Sequence, residues 1–147
     1  MRGDYGNLEQ YCRVVSRLGA RGRVLVADDD RLFRDVIAEY ILGDPSLDLV
    51  GMAADADEAI RLAEFLQPNL ALLDGKMPGG GGPRAAREIR KRSPRTRILA
   101  VSGYEDPASV LEMLRAGAVS YVVKSTVPGR VLPSIHQAIE GIAMPSV

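Results

Sequence analysis

Cysteine is almost missing from this chain. Cys12 is the only one in 147 residues, so no internal disulfide can form and a reducing compartment suits the protein. Neither sign of charge is in excess, since Lys+Arg and Asp+Glu both number 19. Nucleic-acid binders usually carry a basic surplus, so direct nucleic-acid binding is not expected. No apolar run approaches the length of a membrane-spanning helix. The N-terminus carries Asp4 and Glu9 and lacks a continuous apolar segment, so it does not read as a secretory signal. No membrane partner and a cytoplasmic location are the expectations. His136 is the sole histidine, with no cysteine or carboxylate cluster near it in sequence, and reads as a surface or packing residue. Lysine is scarce as well. Only Lys76, Lys91 and Lys124 occur, against an otherwise arginine-based positive charge.

What is present is enough for one core. The length is that of one domain, and a 46% hydrophobic share is ordinary for a globular one. Short apolar runs recur at Val24 to Ala27, Leu49 to Ala53, Leu70 to Leu73, Ile98 to Val101 and Tyr121 to Val123. Continuous apolar character predicts strands buried on both faces, as in a parallel sheet. Helical stripes lie between them: Leu32, Phe33, Val36, Ile37, Tyr40 and Ile41, then Ala59, Ile60, Ala63 and Leu66. Val110, Leu111 and Leu114 form another, Leu132, Ile135, Ile139 and Ile142 another, and Ala86 with Ile89 a weaker one.

The punctuation between these segments agrees. Asp55 with Glu58 has the form of a capping box. Pro107 and Pro83 are expected at first helical positions. Gly43 and Gly117 are expected as left-handed helix ends. Five βα units in succession predict an α/β fold, an open doubly wound parallel sheet with helices on both faces. Residues 1–22 stand apart as an N-terminal extension, in which Leu8, Cys12, Val15 and Leu18 have helical spacing.

In such a sheet, sites form outside the carboxyl ends of the strands, where strand order reverses. The first strand ends in Asp28, Asp29 and Asp30, the third in Asp74, the fourth in Ser102 and the fifth in Lys124. Clustered carboxylates call for a cation, and oxygen ligands of this kind favour Mg²⁺. A carboxylate beside Mg²⁺ and a lysine can attack phosphorus to give an aspartyl phosphate. Strand-end aspartates are also common as caps, and Asp30, directly before the first helix, reads as one. The stretch "DGKMPGGGGP" from Asp74 to Pro83 invites comparison with a phosphate cradle, but it lacks the G-x-x-x-x-G-K-[ST] order of a P-loop.

The segments "RVLVADDDRLFRDVI", "LALLDGKMPGGGG", "ILAVSGY" and "SYVVKS" resemble two-component response-regulator receiver domains. The resemblance runs from about Arg23 to Gly141, with residues 143–147 as a tail to a domain of residues 23–142. It implies a flavodoxin-like five-stranded sheet of order 2-1-3-4-5 with five flanking helices. It implies Asp74 as phosphoacceptor, with Mg²⁺ held by Asp28, Asp29, Asp74 and the backbone carbonyl of Lys76. Ser102 matches the switch hydroxyl, Tyr121 the switch aromatic and Lys124 the phosphate-pairing lysine. Gly75, Met77 and Pro78 belong to the loop that leaves the phosphoacceptor. Gly80 and Gly81 replace larger residues there, and a looser loop is expected. Ser125 follows the lysine where many receivers have proline, a trait shared with receivers of LuxR-type regulators.

The resemblance implies a non-enzymatic switch that takes its phosphoryl group from a histidine kinase or phosphotransfer protein. A homodimer is one outcome of the altered surface. The chain would be either a free-standing receiver or a piece of a longer regulator. Two competing readings have less support. A phosphatase of the haloacid dehalogenase type would use Asp28 and Asp30 as its D-x-D pair, with Lys124 and Ser102 in other roles, but Arg31-Leu32 follows where that family has Gly-Thr. A receiver-like module that binds partners without phosphorylation would not need every key residue to be present.

Overall fold

The computed structural model describes residues 22–103, 107–127 and 129–140. Five strands alternate with five helices: β1 (Gly22–Ala27), α1 (Arg31–Leu42), β2 (Leu47–Ala53), α2 (Ala56–Leu66), β3 (Leu70–Asp74), α3 (Gly81–Arg92), β4 (Arg97–Ser102), α4 (Pro107–Ala116), β5 (Ser120–Val123) and α5 (Val131–Glu140). A short 3₁₀ turn, Lys124–Thr126, joins β5 to α5. All strand pairings are parallel and the order is β2-β1-β3-β4-β5, which is the flavodoxin-like arrangement.

Period-two alternation divides the core into two halves. Leu25 and Ala27 of β1 face one half, with Ala71 and Leu73 of β3, under α2, α3 and α4. Val24 and Val26 face the other, with Leu70 and Leu72, under α1 and α5. β3 is buried at all five positions, the apolar run Leu70 to Leu73 and then Asp74. Fully buried side chains such as Ile37, Ile89 and Ile135 each contribute roughly 1.5–3 kcal/mol through burial.

Local signals set the boundaries. Asp30 caps α1, its carboxylate accepting from the Leu32 and Phe33 amides. Asp55 accepts from the Glu58 amide, while Glu58 reaches back to the Ala54 amide, one residue beyond a standard box. Four expectations need correction. Gly43 ends α1 in the right-handed region at φ −80°, while Gln67 after α2 is a left-handed helix end, at φ 49°. Pro83 is the third residue of α3, still inside the first turn, where an amide has no intrahelical partner. Leu32 is 75% exposed, because it lies at the outer side of α1. In α4 the buried residues are Met113 and Ala116, while Leu111 and Leu114 face outward. The apolar residues of α4 outnumber those it can bury at the flank of the sheet. Gly117 has φ +117°, as a left-handed helix end should. The expectations for residues 1–21, Asp106 and Ile142 lie outside the described residues.

Candidate functional site

The strand order reverses between β1 and β3, so their carboxyl ends diverge to opposite helices and leave a crevice. Asp28 continues the β1 line, its amide donating to the Ala53 carbonyl, and is 2% exposed. Asp74 closes β3 and is 6% exposed. One carboxylate oxygen from each of Asp28, Asp29 and Asp74 lies within 4.8 Å of the others. Asp29 is exposed, and Asp30 lies outside the cluster, committed to its cap. The D-x-D pairing of Asp28 with Asp30 is therefore not assembled.

Lys124 enters from β5. The 3₁₀ turn that starts with it is closed by the Thr126 hydroxyl donating to the Val123 carbonyl. Its Nζ lies 2.8 Å from Asp28 Oδ2 and 3.5 Å from Asp74 Oδ2. The ammonium also sits over the Phe33 ring, 4.5 Å from the centroid. Burial alone would lower the Lys124 pKa, but the two carboxylates outweigh it and raise it above the usual lysine value. For Asp74, burial and then the neighbouring Asp28 charge raise the pKa to about 6, against the opposing Lys124 charge. One ammonium does not balance three carboxylates. A hard divalent cation fits this donor set, since it would relieve the repulsion and take oxygen ligands.

The loop after β3 is shaped by glycine. Gly79, Gly80 and Gly81 all have positive φ, at +87°, +95° and +75°. Glycine is required by conformation there, not merely tolerated. A Cβ on Gly82 would meet the Asp74 carbonyl oxygen at 2.5 Å and the Met113 sulfur at 2.9 Å. The loop is tied at both ends: the Gly82 amide donates to the Gly75 carbonyl, and the Ala56 amide donates to the Pro78 carbonyl. Met77 is buried and Pro78 exposed. Lys76 has an exposed side chain, and its amide donates to Asp74 Oδ1 at 3.3 Å.

Ser102 ends β4, half-buried, in register with Val123. Tyr121 lies on β5 and is 43% exposed. The structure thus brings Asp28, Asp29, Asp74 and Lys124 together, sets Ser102 at the adjoining strand end and leaves Tyr121 outward. Two supporting residues were not foreseen. Arg34 donates to the Asp28 carbonyl at 2.7 Å, and Phe33 carries the Lys124 ammonium. Their only sequence signal is helical position, four and five residues after Asp29.

Comparison with known proteins gives a consistent result. The model of the response regulator receiver domain matches residues 24–136. The transcriptional regulatory protein YxjL of Bacillus subtilis, itself described as uncharacterized, is 34% identical over 122 residues, covering 83% of this chain and 56% of that protein. The nitrate/nitrite response regulator NarL of Escherichia coli is 34% identical over 118 residues, covering 80% and 55%. The chain therefore spans about half the length of these curated relatives. Among solved structures, a LuxR-family two-component response regulator from Aurantimonas sp. SI85-9A1 superposes with a TM-score of 0.80 at 32% identity, covering 86% of this chain and 91% of that one. Matched span, strand order and relatives agree: the chain belongs to the family of response regulator receiver domains.

Proposed function

We propose that the chain is a phosphorylation switch that accepts a phosphoryl group on Asp74 from a histidine kinase or phosphotransfer protein. The observation that carries this reading is the placement of the Asp74 carboxylate against Asp28, Asp29 and the Lys124 ammonium. Asp74 is the nucleophile. One carboxylate oxygen forms a bond to phosphorus as the phosphorus–nitrogen bond of the donor breaks. The bonding pair stays on the leaving imidazole nitrogen, which takes a proton from solvent. Lys124 offsets charge on the phosphoryl oxygens. Asp28, Asp29, Asp74 and the Lys76 carbonyl would hold Mg²⁺, which supplies charge neutralisation and orientation.

The switch then involves Ser102 and Tyr121. New oxygens beside the end of β4 give the Ser102 hydroxyl an acceptor, and its movement opens space for Tyr121 to turn inward from its exposed position. That alters the surface of α4, β5 and α5, where partner binding or dimerisation follows. About 5.5 kcal/mol of differential affinity takes a two-state equilibrium from 1:99 to 99:1, and charge-assisted hydrogen bonds supply part of that. Among the described residues no helix is long and apolar enough to cross a membrane. A small phosphodonor such as acetyl phosphate with Mg²⁺ should add one phosphoryl mass to the intact chain in a single turnover. Steady hydrolysis of phosphomonoesters instead would point to a phosphatase.

A further inference from the structure

The balanced total charge conceals a segregated one. Residues 84–97, covering most of α3 and the turn to β4, hold seven cationic side chains and one acid, Glu88. Arg84, Lys91 and Arg92 are paired with Asp57, Glu88 and Glu64. Arg87 has no ion pair among the described residues. It lines a groove of about 520 Å³ between α3 and α4, together with Arg115, Leu111 and Glu112. Leu111 is 46% exposed in that groove. Arginines beside an exposed leucine are a pattern of protein–protein surfaces.

A complementary surface exists on the same chain. The outer side of α1 presents Leu32, Asp35, Glu39 and Leu42, spaced three, four and three residues apart on one stripe. Leu32 is 75% exposed and Leu42 is 69% exposed. Asp35 has only a 3.8 Å contact with Arg31, a solvent-exposed pair of little strength. The stripe spans about 15 Å and the Ala108 to Ala116 wall of the groove about 12 Å, at 1.5 Å per residue. The two cannot meet within one molecule, because α1 packs with α5 on one side of the sheet and α3 with α4 on the other.

We propose that the α1 stripe of one copy seats in the α3–α4 groove of a second copy. Asp35 and Glu39 meet Arg87 and Arg115, while Leu32 and Leu42 cover the exposed Leu111. Arg31 falls in reach of Glu112. The two surfaces differ, so the contact is head-to-tail and does not stop at a dimer. It shares α4 with the switch surface but uses the side that borders α3, and it needs no phosphoryl group.

Sedimentation velocity of the full chain tests it, at rising concentration and two ionic strengths. Screening lengths of about 30 Å at 0.01 M and 3 Å at 1 M separate an electrostatic contact from an apolar one. The average mass should climb past a dimer at low salt and return to monomer at high salt. Arg87→Glu/Arg115→Glu should be monomeric alone, and so should Asp35→Arg/Glu39→Arg, with melting curves showing both folded. Mixing the two variants should restore association, because each then offers the other an opposite charge. A wild type that stays monomeric at low salt, variants that associate like the wild type, or a mixture that stays monomeric would each overturn the proposal.

Discussion

Lys124 stands closer to Asp28 than to Asp74, at 2.8 Å against 3.5 Å. Its charge is therefore held first by the most buried acid of the cluster and is available to a group arriving on Asp74. The Phe33 ring closes the space above it. An ammonium is a compact point charge, whereas a guanidinium is a planar fork that would not keep the same three contacts. Lys124→Arg should thus behave like Lys124→Ala: amide shifts around Tyr121 on adding beryllofluoride and Mg²⁺ should be lost in both. Wild-type shifts in Lys124→Arg would contradict this role.

Asp74 is an acid whose charge the fold disfavours without metal. A folded pKa of about 6 against an ordinary 3.8 means that stability falls as pH rises through that window. At pH 7 in chelator, Asp74→Asn should therefore be more stable than wild type, by on the order of 1–3 kcal/mol. Urea denaturation measures it. Adding Mg²⁺ should stabilise the wild type and narrow the gap. A less stable Asp74→Asn variant in chelator would show that the carboxylates do not repel as described.

Asp29 and Asp30 are neighbours with different tasks. Asp29 belongs to the carboxylate cluster, whereas Asp30 caps α1. Asp29→Ala should weaken Mg²⁺ binding, followed by calorimetric titration, and leave the melting temperature nearly unchanged. Asp30→Ala should cost about 1 kcal/mol of stability and leave Mg²⁺ binding intact. Equal losses of Mg²⁺ affinity would shift the metal-binding pair by one residue.

His136 Nε2 lies 2.7 Å from Asp44 Oδ2, tying α5 to the turn between α1 and β2. Burial alone would raise the Asp44 pKa. The hydrogen bonds from His136 and Ser46 outweigh that and hold it at about 2. A depressed carboxyl stabilises the fold above about pH 4, and that contribution disappears as pH falls through 2. Asp44→Asn should then be about 2 kcal/mol less stable than wild type at pH 5, with the difference gone by pH 2. A difference independent of pH would mean that the Asp44 charge contributes nothing.

The legible parts of the molecule were those written in local pattern. Five apolar runs became five strands, and the residues at their ends supplied the cluster of Asp28, Asp29, Asp74 and Lys124, because a parallel sheet gathers its strand ends at one edge. Asp30 and Asp55 announced their caps by position. The phase of α4 was not legible, since Val110, Leu111, Met113 and Leu114 offer more than one apolar face and only packing against Gly82 and the sheet selects Met113. The pairing of His136 with Asp44 joins residues 92 positions apart and left no local trace. The glycines at 79–81 looked permissive, whereas their positive φ shows a loop that demands them.

The central claim is that Asp74 becomes an acyl phosphate. Borohydride reduces an acyl phosphate on aspartate to homoserine, which peptide mass spectrometry locates by residue. After incubation with acetyl phosphate and Mg²⁺, homoserine should appear at position 74 and should vanish in Asp74→Asn or when Mg²⁺ is chelated. Homoserine at Asp28 or Asp29, or none at all in a folded protein that binds Mg²⁺, would contradict the account.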